Sequence, residues 1–155
     1  VAVISNNFNA FGLERAKKHK IPVVVVDNKD YESRNDFDEK LLYEINSFSP
    51  GLVVLAGFMR ILTPLMTSAF KGMMINIHPS LLPKYPGMNT HQKVLNNKDN
   101  EHGVSIHLVS EQLDAGPIIA QAKILVNLNQ TIEVLINRIH KAEHVLFPKI
   151  IGMIA

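Results

Sequence analysis

At 155 residues and 46% hydrophobic content, the chain has apolar surface for one respectable core, so one domain is expected and two are not. Lys and Arg number 16 against 14 Asp and Glu, a net charge of +2 with the basic residues scattered, which gives nucleic-acid binding little support. There is no cysteine, no run of ~20 apolar residues and no basic segment ahead of a cleavage site, which excludes disulfide frameworks, cysteine nucleophiles and thiolate metal sites, indicates neither membrane nor secretion, and leaves a cytoplasmic protein as the expectation.

Residues 1–4 read as a strand and 10–20 as a short helix, followed by Pro22 and the buried-strand run Val23-Val24-Val25-Val26. Over 34–48, Phe37, Leu41, Leu42, Ile45 and Phe48 recur at helical spacing, which predicts a helix with one apolar face, stopped by Pro50-Gly51. Residues 52–56 form the next buried strand, 63–70 a short helix with proline in its first turn, and 73–77 a further strand. Beyond it, 89–97 reads as a helix, 104–109 and 118–124 as strands, and 131 to about 146 as a long helix that Pro148 kinks or ends. Strands without polar alternation, separated by helices, predict an α/β protein with a parallel sheet covered on both faces.

In such sheets ligands bind in the crevice beyond the carboxyl ends of the strands. Three strand ends carry suitable sequence: Gly57-Phe58-Met59-Arg60-Ile61-Leu62, then Asn76-Ile77-His78-Pro79-Ser80-Leu81-Leu82-Pro83-Lys84-Tyr85-Pro86-Gly87, then Ser110-Glu111-Gln112-Leu113-Asp114-Ala115-Gly116-Pro117. Alternation along a strand puts Asn76 and His78 on one side and Ile75 and Ile77 on the other. Pro79 biases His78 toward an extended backbone, and Pro83 and Pro86 restrict the next few residues, so the amide and the imidazole sit on a stiffened turn. Taken alone, the pair fits a turn amide and a hydrogen-bonded strand-end histidine at least as well; convergence of the three loops is what favours chemistry. The remaining histidines His19, His91, His102, His107 and His144 have no comparable partner in sequence, and solvated or structural roles are expected for them.

In that order and spacing, the Gly57 to Leu62 loop, the Asn76 to Pro83 loop and Leu113-Asp114-Ala115-Gly116-Pro117-Ile118-Ile119 resemble the folate-dependent formyltransferase superfamily over essentially the whole chain. The continuation Lys84-Tyr85-Pro86-Gly87 is similar to the phosphoribosylglycinamide formyltransferases within it. Methionyl-tRNA formyltransferases share Ser80-Leu81-Leu82-Pro83 but continue differently, and formyltetrahydrofolate deformylases carry another residue where Pro79 stands. The resemblance implies a Rossmann-like, mostly parallel sheet with helices on both faces. It also implies transfer of a formyl group from 10-formyltetrahydrofolate, a cosubstrate and not a tightly bound cofactor, to the amine of glycinamide ribonucleotide in purine biosynthesis. No metal is required. The alternatives are a formyltetrahydrofolate hydrolase and an inactive folate-binding fragment, and both monomer and homodimer stay open.

On that reading Asn76, His78 and Asp114 are catalytic. An amine attacking a formamide-like carbonyl makes a tetrahedral intermediate whose negative oxygen needs donors, and Asn76 and protonated His78 can supply them. Protons must leave the amine and reach the departing folate nitrogen, a task for a group titrating near neutral pH. A carboxylate beside the ring favours its charged form, which makes Asp114 the natural partner, although a turn aspartate is its ordinary reading. By position, the resemblance puts Arg34, Met59, Arg60, Ile61 and Leu62 on the folate, with Asn76, Ser110, Glu111, Gln112, Leu113 and Asp114 closing the other side of the pterin pocket. A surface ion pair is the alternative for Arg34, and core packing for Ile61 and Leu62. Gly57, Pro79, His140 and Glu143 match positions that touch the ribonucleotide, the last two sharing a helix face. The family also has a strand and a glycine-rich phosphate loop before the position of Val1, and a terminal segment after Ala155. The chain is therefore expected to be a single formyltransferase domain truncated at both ends and lacking the family's first strand.

Overall fold

Two runs of β-branched residues near the amino terminus become β1 (Val3–Ser5) and β2 (Val23–Val25), paired in parallel with Val3 facing Val23. The computed structural model to which they belong describes residues 1–155 and falls into two units, Val1–Gly51 with Leu62–Ala69, and Leu52–Ile61 with Phe70–Ala155. In the first unit α1 (Phe11–Lys18) carries the chain back between the two parallel strands and buries Leu13 and Ala16. A single 3-10 turn over Asn28–Asp30, where the Asp27 side chain accepts from the Lys29 amide, was not anticipated.

The helix α2 (Arg34–Ser47) begins at a capping box: Ser33 Oγ accepts from the Asp36 amide, and the Asp36 carboxylate accepts from the Ser33 amide, both at 3.2 Å. Phe37, Leu41 and Ile45 form the predicted buried face. Asp38 is also buried, at 3% exposure. Its carboxylate accepts from the Thr63 amide at 2.7 Å, just before α3 (Pro64–Ala69), which satisfies a polar group that would otherwise be costly to bury.

In the second unit β3 (Val53–Leu55), β4 (Met74–His78), β5 (Glu101–Leu108) and β6 (Ile118–Leu125) form a four-stranded sheet in that order. The α/β class stands, and β3 and β4 are parallel as expected. The pairing then turns antiparallel at β4–β5 and at β5–β6, so the sheet is mixed where a mostly parallel one was expected. For β5–β6 the reason is visible in the connection: residues 109–117 contain no helix, whereas a parallel return needs a crossover of about a dozen residues or more. Gly103, Ser105 and His107 alternating with Val104 and Ile106 is the pattern of a strand with one polar face, which suits antiparallel pairing.

The apolar face of this sheet is covered by α4 (Thr90–Asn96) and α5 (Ile132–Ile154). Ile75 and Ile106, each 0% exposed, meet Phe147, with Ile77, Leu108, Ile150 and Ile151 packed around them. Val94 of α4 meets Leu135 and Ile139 of α5. Of the two expected effects of Pro148, a kink or an end, the end does not occur: α5 continues through it to Ile154. A proline inside a helix costs ~3 kcal/mol. Phe147, Ile150 and Ile151 on either side bury apolar surface at up to ~1.5–3 kcal/mol each, enough to hold the helix together across the missing hydrogen bond. No helix is long and apolar enough to cross a membrane.

Candidate active site

With Ile75 and Ile77 turned into the Phe147 cluster, Asn76 and His78 emerge on the opposite face of β4. The antiparallel register sets His107 of β5 directly across from Asn76, and Ser105 across from His78. His78 Nδ1 lies 3.3 Å from Asp114 Oδ2, with both side chains 7% exposed. Its Nε2 lies 2.8 Å from the Tyr85 carbonyl oxygen. A carbonyl only accepts, so Nε2 carries a proton, and an Nδ1 proton finds the carboxylate: the imidazolium has an acceptor for each of its two N–H groups.

Asn76 Nδ2 stands 3.2 Å from His107 Nε2 and 3.5 Å from Asp114 Oδ1. His107 Nδ1 is 2.8 Å from the Leu108 carbonyl and donates to it, which leaves Nε2 as the acceptor for the Asn76 amide. His107 Nε2 also lies 3.5 Å from Asp114 Oδ1, so the Asn76 amide stands beside both the ring nitrogen and the carboxylate oxygen. His107, expected to be solvated or structural, is buried and holds the Asn76 amide, a structural place beside the candidate residues. The sequence showed it no partner because that partner lies 31 positions away, on another strand.

Asp114 adopts the left-handed backbone region, φ +50, which aspartate tolerates better than most residues. The Gly87 amide donates to its Oδ2 at 2.8 Å. Behind it, a Cβ at Gly116 would stand 1.8 Å from the Leu108 carbonyl oxygen, so the loop that carries Asp114 closes against β5 only with glycine there. Gly116→Ala is expected to lower stability by about 1–3 kcal/mol in denaturant melts, and an unchanged midpoint would show that the loop has room to shift.

Residues 1–151 match the family described as formyl transferase. The chain belongs to the formyl transferase family. It is 46% identical over 154 residues to the phosphoribosylglycinamide formyltransferase of Escherichia coli (strain K12), spanning 99% of this chain and 73% of that protein. It is 47% identical over 155 residues to the trifunctional purine biosynthetic protein adenosine-3 of Chironomus tentans, spanning 100% of this chain but 11% of that one. Among solved structures, phosphoribosylglycinamide formyltransferase from Coxiella burnetii superposes with a TM-score of 0.91 at 47% identity, over 96% of this chain and 70% of that one. Glycinamide ribonucleotide transformylase 1 from Geobacillus kaustophilus superposes with a TM-score of 0.94 at 36% identity, over 100% of this chain and 84% of that one.

In this formyl transferase the proline-punctuated segment after His78 is held by a satisfied polar network. Ser105 Oγ accepts from the Leu82 amide at 3.0 Å and from Gln121 Nε2 at 2.7 Å, and donates to the Ser80 carbonyl at 2.6 Å. Gln121 Nε2 also reaches the Leu82 carbonyl at 3.0 Å, and Ser80 Oγ donates to the Lys84 carbonyl at 2.6 Å. Sequence reasoning missed Ser105 and Gln121; the alternation of Gly103, Ser105 and His107 was the signal that could have found Ser105.

The other candidates are spread over several elements. Leu55 faces Asn76 in the parallel register, so Gly57, Met59, Arg60 and Ile61 leave β3 toward the carboxyl-terminal, His78 end of β4. Gly57 has φ +66, the region that favours glycine. Met59 and Ile61 are 77% and 53% exposed, so core packing does not account for them, while Arg60 is half-buried. Ser110 Oγ donates to the Gln112 carbonyl at 3.0 Å, and Glu111, Gln112 and Leu113 are exposed in the Asp114 loop. Pro79 is half-buried after His78. Arg34, exposed at the start of α2, and half-buried Leu62, ahead of α3, belong to the first unit. On α5, His140 is exposed and its ring stacks on that of His144 at 6.4 Å. Burial pushes the Glu143 carboxyl up, against the pull of His140 and His144. His140 and His78 both bear on His91, whose imidazole is held below its ordinary range first by burial and then by those two rings. His91 Nδ1 in turn lies 2.9 Å from His102 Nε2.

Proposed function

We propose that this chain transfers a formyl group from 10-formyltetrahydrofolate to the primary amine of glycinamide ribonucleotide, in the cytoplasm and as a monomer or homodimer. The observation that carries the reading is His78 held between the Asp114 carboxylate and the Tyr85 carbonyl, with the Asn76 amide alongside. A bond forms between the amine nitrogen and the formyl carbon as the bond from that carbon to the folate nitrogen breaks. The amine gives up one proton and the folate nitrogen takes one. The His78–Asp114 pair is the couple in place to move them: Nε2–H stays on the Tyr85 carbonyl, and the proton shared by Nδ1 and the Asp114 carboxylate is the one that can be passed on and replaced. The long 3.5 Å contact from Asn76 Nδ2 to Asp114 is the weaker of the two that the amide makes, so its N–H is the one free to turn onto the oxyanion as charge develops.

Exposed Met59, Ile61 and Leu113 supply apolar surface for a flat pterin, with Arg60, Ser110, Glu111 and Gln112 as polar neighbours. Gly57, Pro79, His140 and Glu143 are assigned to the ribonucleotide, with the Glu143 carboxylate accepting from ribose hydroxyls. The test is the rate of tetrahydrofolate formation from 10-formyltetrahydrofolate by the purified chain, with and without glycinamide ribonucleotide. Turnover that requires the ribonucleotide is the expected result. Equal turnover without it would make the protein a hydrolase, and folate binding with no turnover would make it an inactive binding fragment; either overturns the assignment.

A further inference from the structure

We infer that Tyr85 is a positioning residue, whose phenol, anchored on Asp99, holds the strained backbone that aims the Tyr85 carbonyl at His78. The inference rests on the reading of His78 as the proton-moving group. Tyr85 has φ +55, a left-handed conformation that is rare for a bulky aromatic residue and costs about 1–2 kcal/mol. Such strain persists only where the surroundings over-determine it, and here the side chain is held in three ways. Its hydroxyl donates to Asp99 Oδ2 at 2.8 Å. The same oxygen accepts from Asn97 Nδ2 at 2.8 Å. Its ring packs against the cluster of Val94, Leu135 and Ile139. Asp99 is itself fixed, since its amide donates to the Val94 carbonyl at 3.1 Å and its carboxylate receives Lys84 Nζ at 3.4 Å.

What that anchor controls is on the main chain. The Tyr85 carbonyl takes the His78 Nε2 proton at 2.8 Å. Two residues on, the Gly87 amide, in a second left-handed position at φ +74, donates at 2.8 Å to the carboxylate oxygen that faces His78 Nδ1. One short turn therefore holds both ends of the His78–Asp114 contact, the ring by an acceptor and the carboxylate by a donor. If the phenol is released, the backbone can relax toward an ordinary φ, which rotates the carbonyl away from Nε2 and frees the ring to turn.

Tyr85→Phe removes the hydroxyl and keeps the ring packing. It is expected to lower kcat about 10–100-fold, by analogy with the loss when the partner orienting a metal-bound histidine is removed, with KM for both substrates within about threefold by the same reasoning. Asp99→Ala should match that loss, and Asp99→Asn, which keeps an acceptor for the phenol, should recover most of the rate. The double variant Tyr85→Phe with Asp99→Ala should be no slower than either single variant, because one bond is being removed twice. A second readout needs no turnover: the His78 Nε2–H resonance in a proton–nitrogen NMR spectrum should broaden or vanish in Tyr85→Phe and persist in the wild type. Full kcat with an unchanged His78 resonance in Tyr85→Phe overturns the inference, as does strict additivity in the double variant. Should the wild type show no transfer at all, the functional reading fails by itself, and the NMR comparison alone decides the role of Tyr85.

Discussion

Replacing His78 with asparagine is expected to lower kcat by about 10²–10⁴-fold, the usual worth of a positioned general acid or base, while leaving folate affinity within a few-fold of the wild type. Asparagine keeps a donor near Asp114, so the 3.3 Å contact to the carboxylate can be partly replaced by an amide. What asparagine lacks is a ring nitrogen that can give its proton to the Asp114 carboxylate and take one back. Removal of the ring also leaves the Tyr85 carbonyl without its 2.8 Å partner. The loss should therefore appear in the chemical step. Single-turnover formyl transfer at saturating ribonucleotide, set beside a tetrahydrofolate titration, separates the two effects. A variant that keeps the full rate would remove His78 from the mechanism, and one that loses folate binding equally would make it a binding residue.

Stability is expected to fall by roughly 3 kcal/mol as the pH drops from about 6.5 to about 4, the value of a shift of that size for one group. The group responsible is His102, 1% exposed, whose Nδ1 has no hydrogen-bond partner. Burial first, and then the His91 and His78 rings, push its imidazole down to about 4, against the pull of Asp99. Between those two pH values the unfolded chain binds a proton at this site and the native chain does not, so acid favours unfolding. Below about 4 the native protein also takes the proton and the loss levels off. His91, also held low by burial, acts in the same direction. Glu143, held high by burial, acts in the opposite one, since its buried charge is relieved as pH falls. Against a total stability of about 5–15 kcal/mol, the His102 contribution is large enough to read in urea midpoints across this range. In His102→Gln the slope of stability against pH should flatten over the same interval, whatever the variant's stability at neutral pH; parallel slopes would assign the acid loss to other groups.

Several parts of this protein are legible in its amino-acid sequence because they obey short-range rules. The two-residue period of a strand placed Asn76 and His78 on one face and Ile75 and Ile77 on the other, and the Phe147 cluster sits on the isoleucine side. Proline and glycine spacing marked the three loops at the strand ends, and Asp114 does meet His78. The apolar spacing in α2 picked out Phe37, Leu41 and Ile45 as its buried face.

Other parts needed the tertiary structure, for reasons that no local rule contains. His107 and Ser105 lie beside the candidate residues only because β5 runs antiparallel to β4 in one particular register, and a slip by one residue would have turned both to the helix side. Asp38 is a buried helix residue whose acceptor role depends on an amide 25 positions on. Pro148 should break a helix by its own sterics, and only the cluster under Phe147 keeps α5 intact. The groups that clamp His78 and Asp114, the Tyr85 carbonyl and the Gly87 amide, are main-chain atoms that every residue possesses. Residue identity determined which side chains are able to carry chemistry, and the path of the backbone decided what holds them, because a peptide group's direction is set by distant packing and not by the name of its residue.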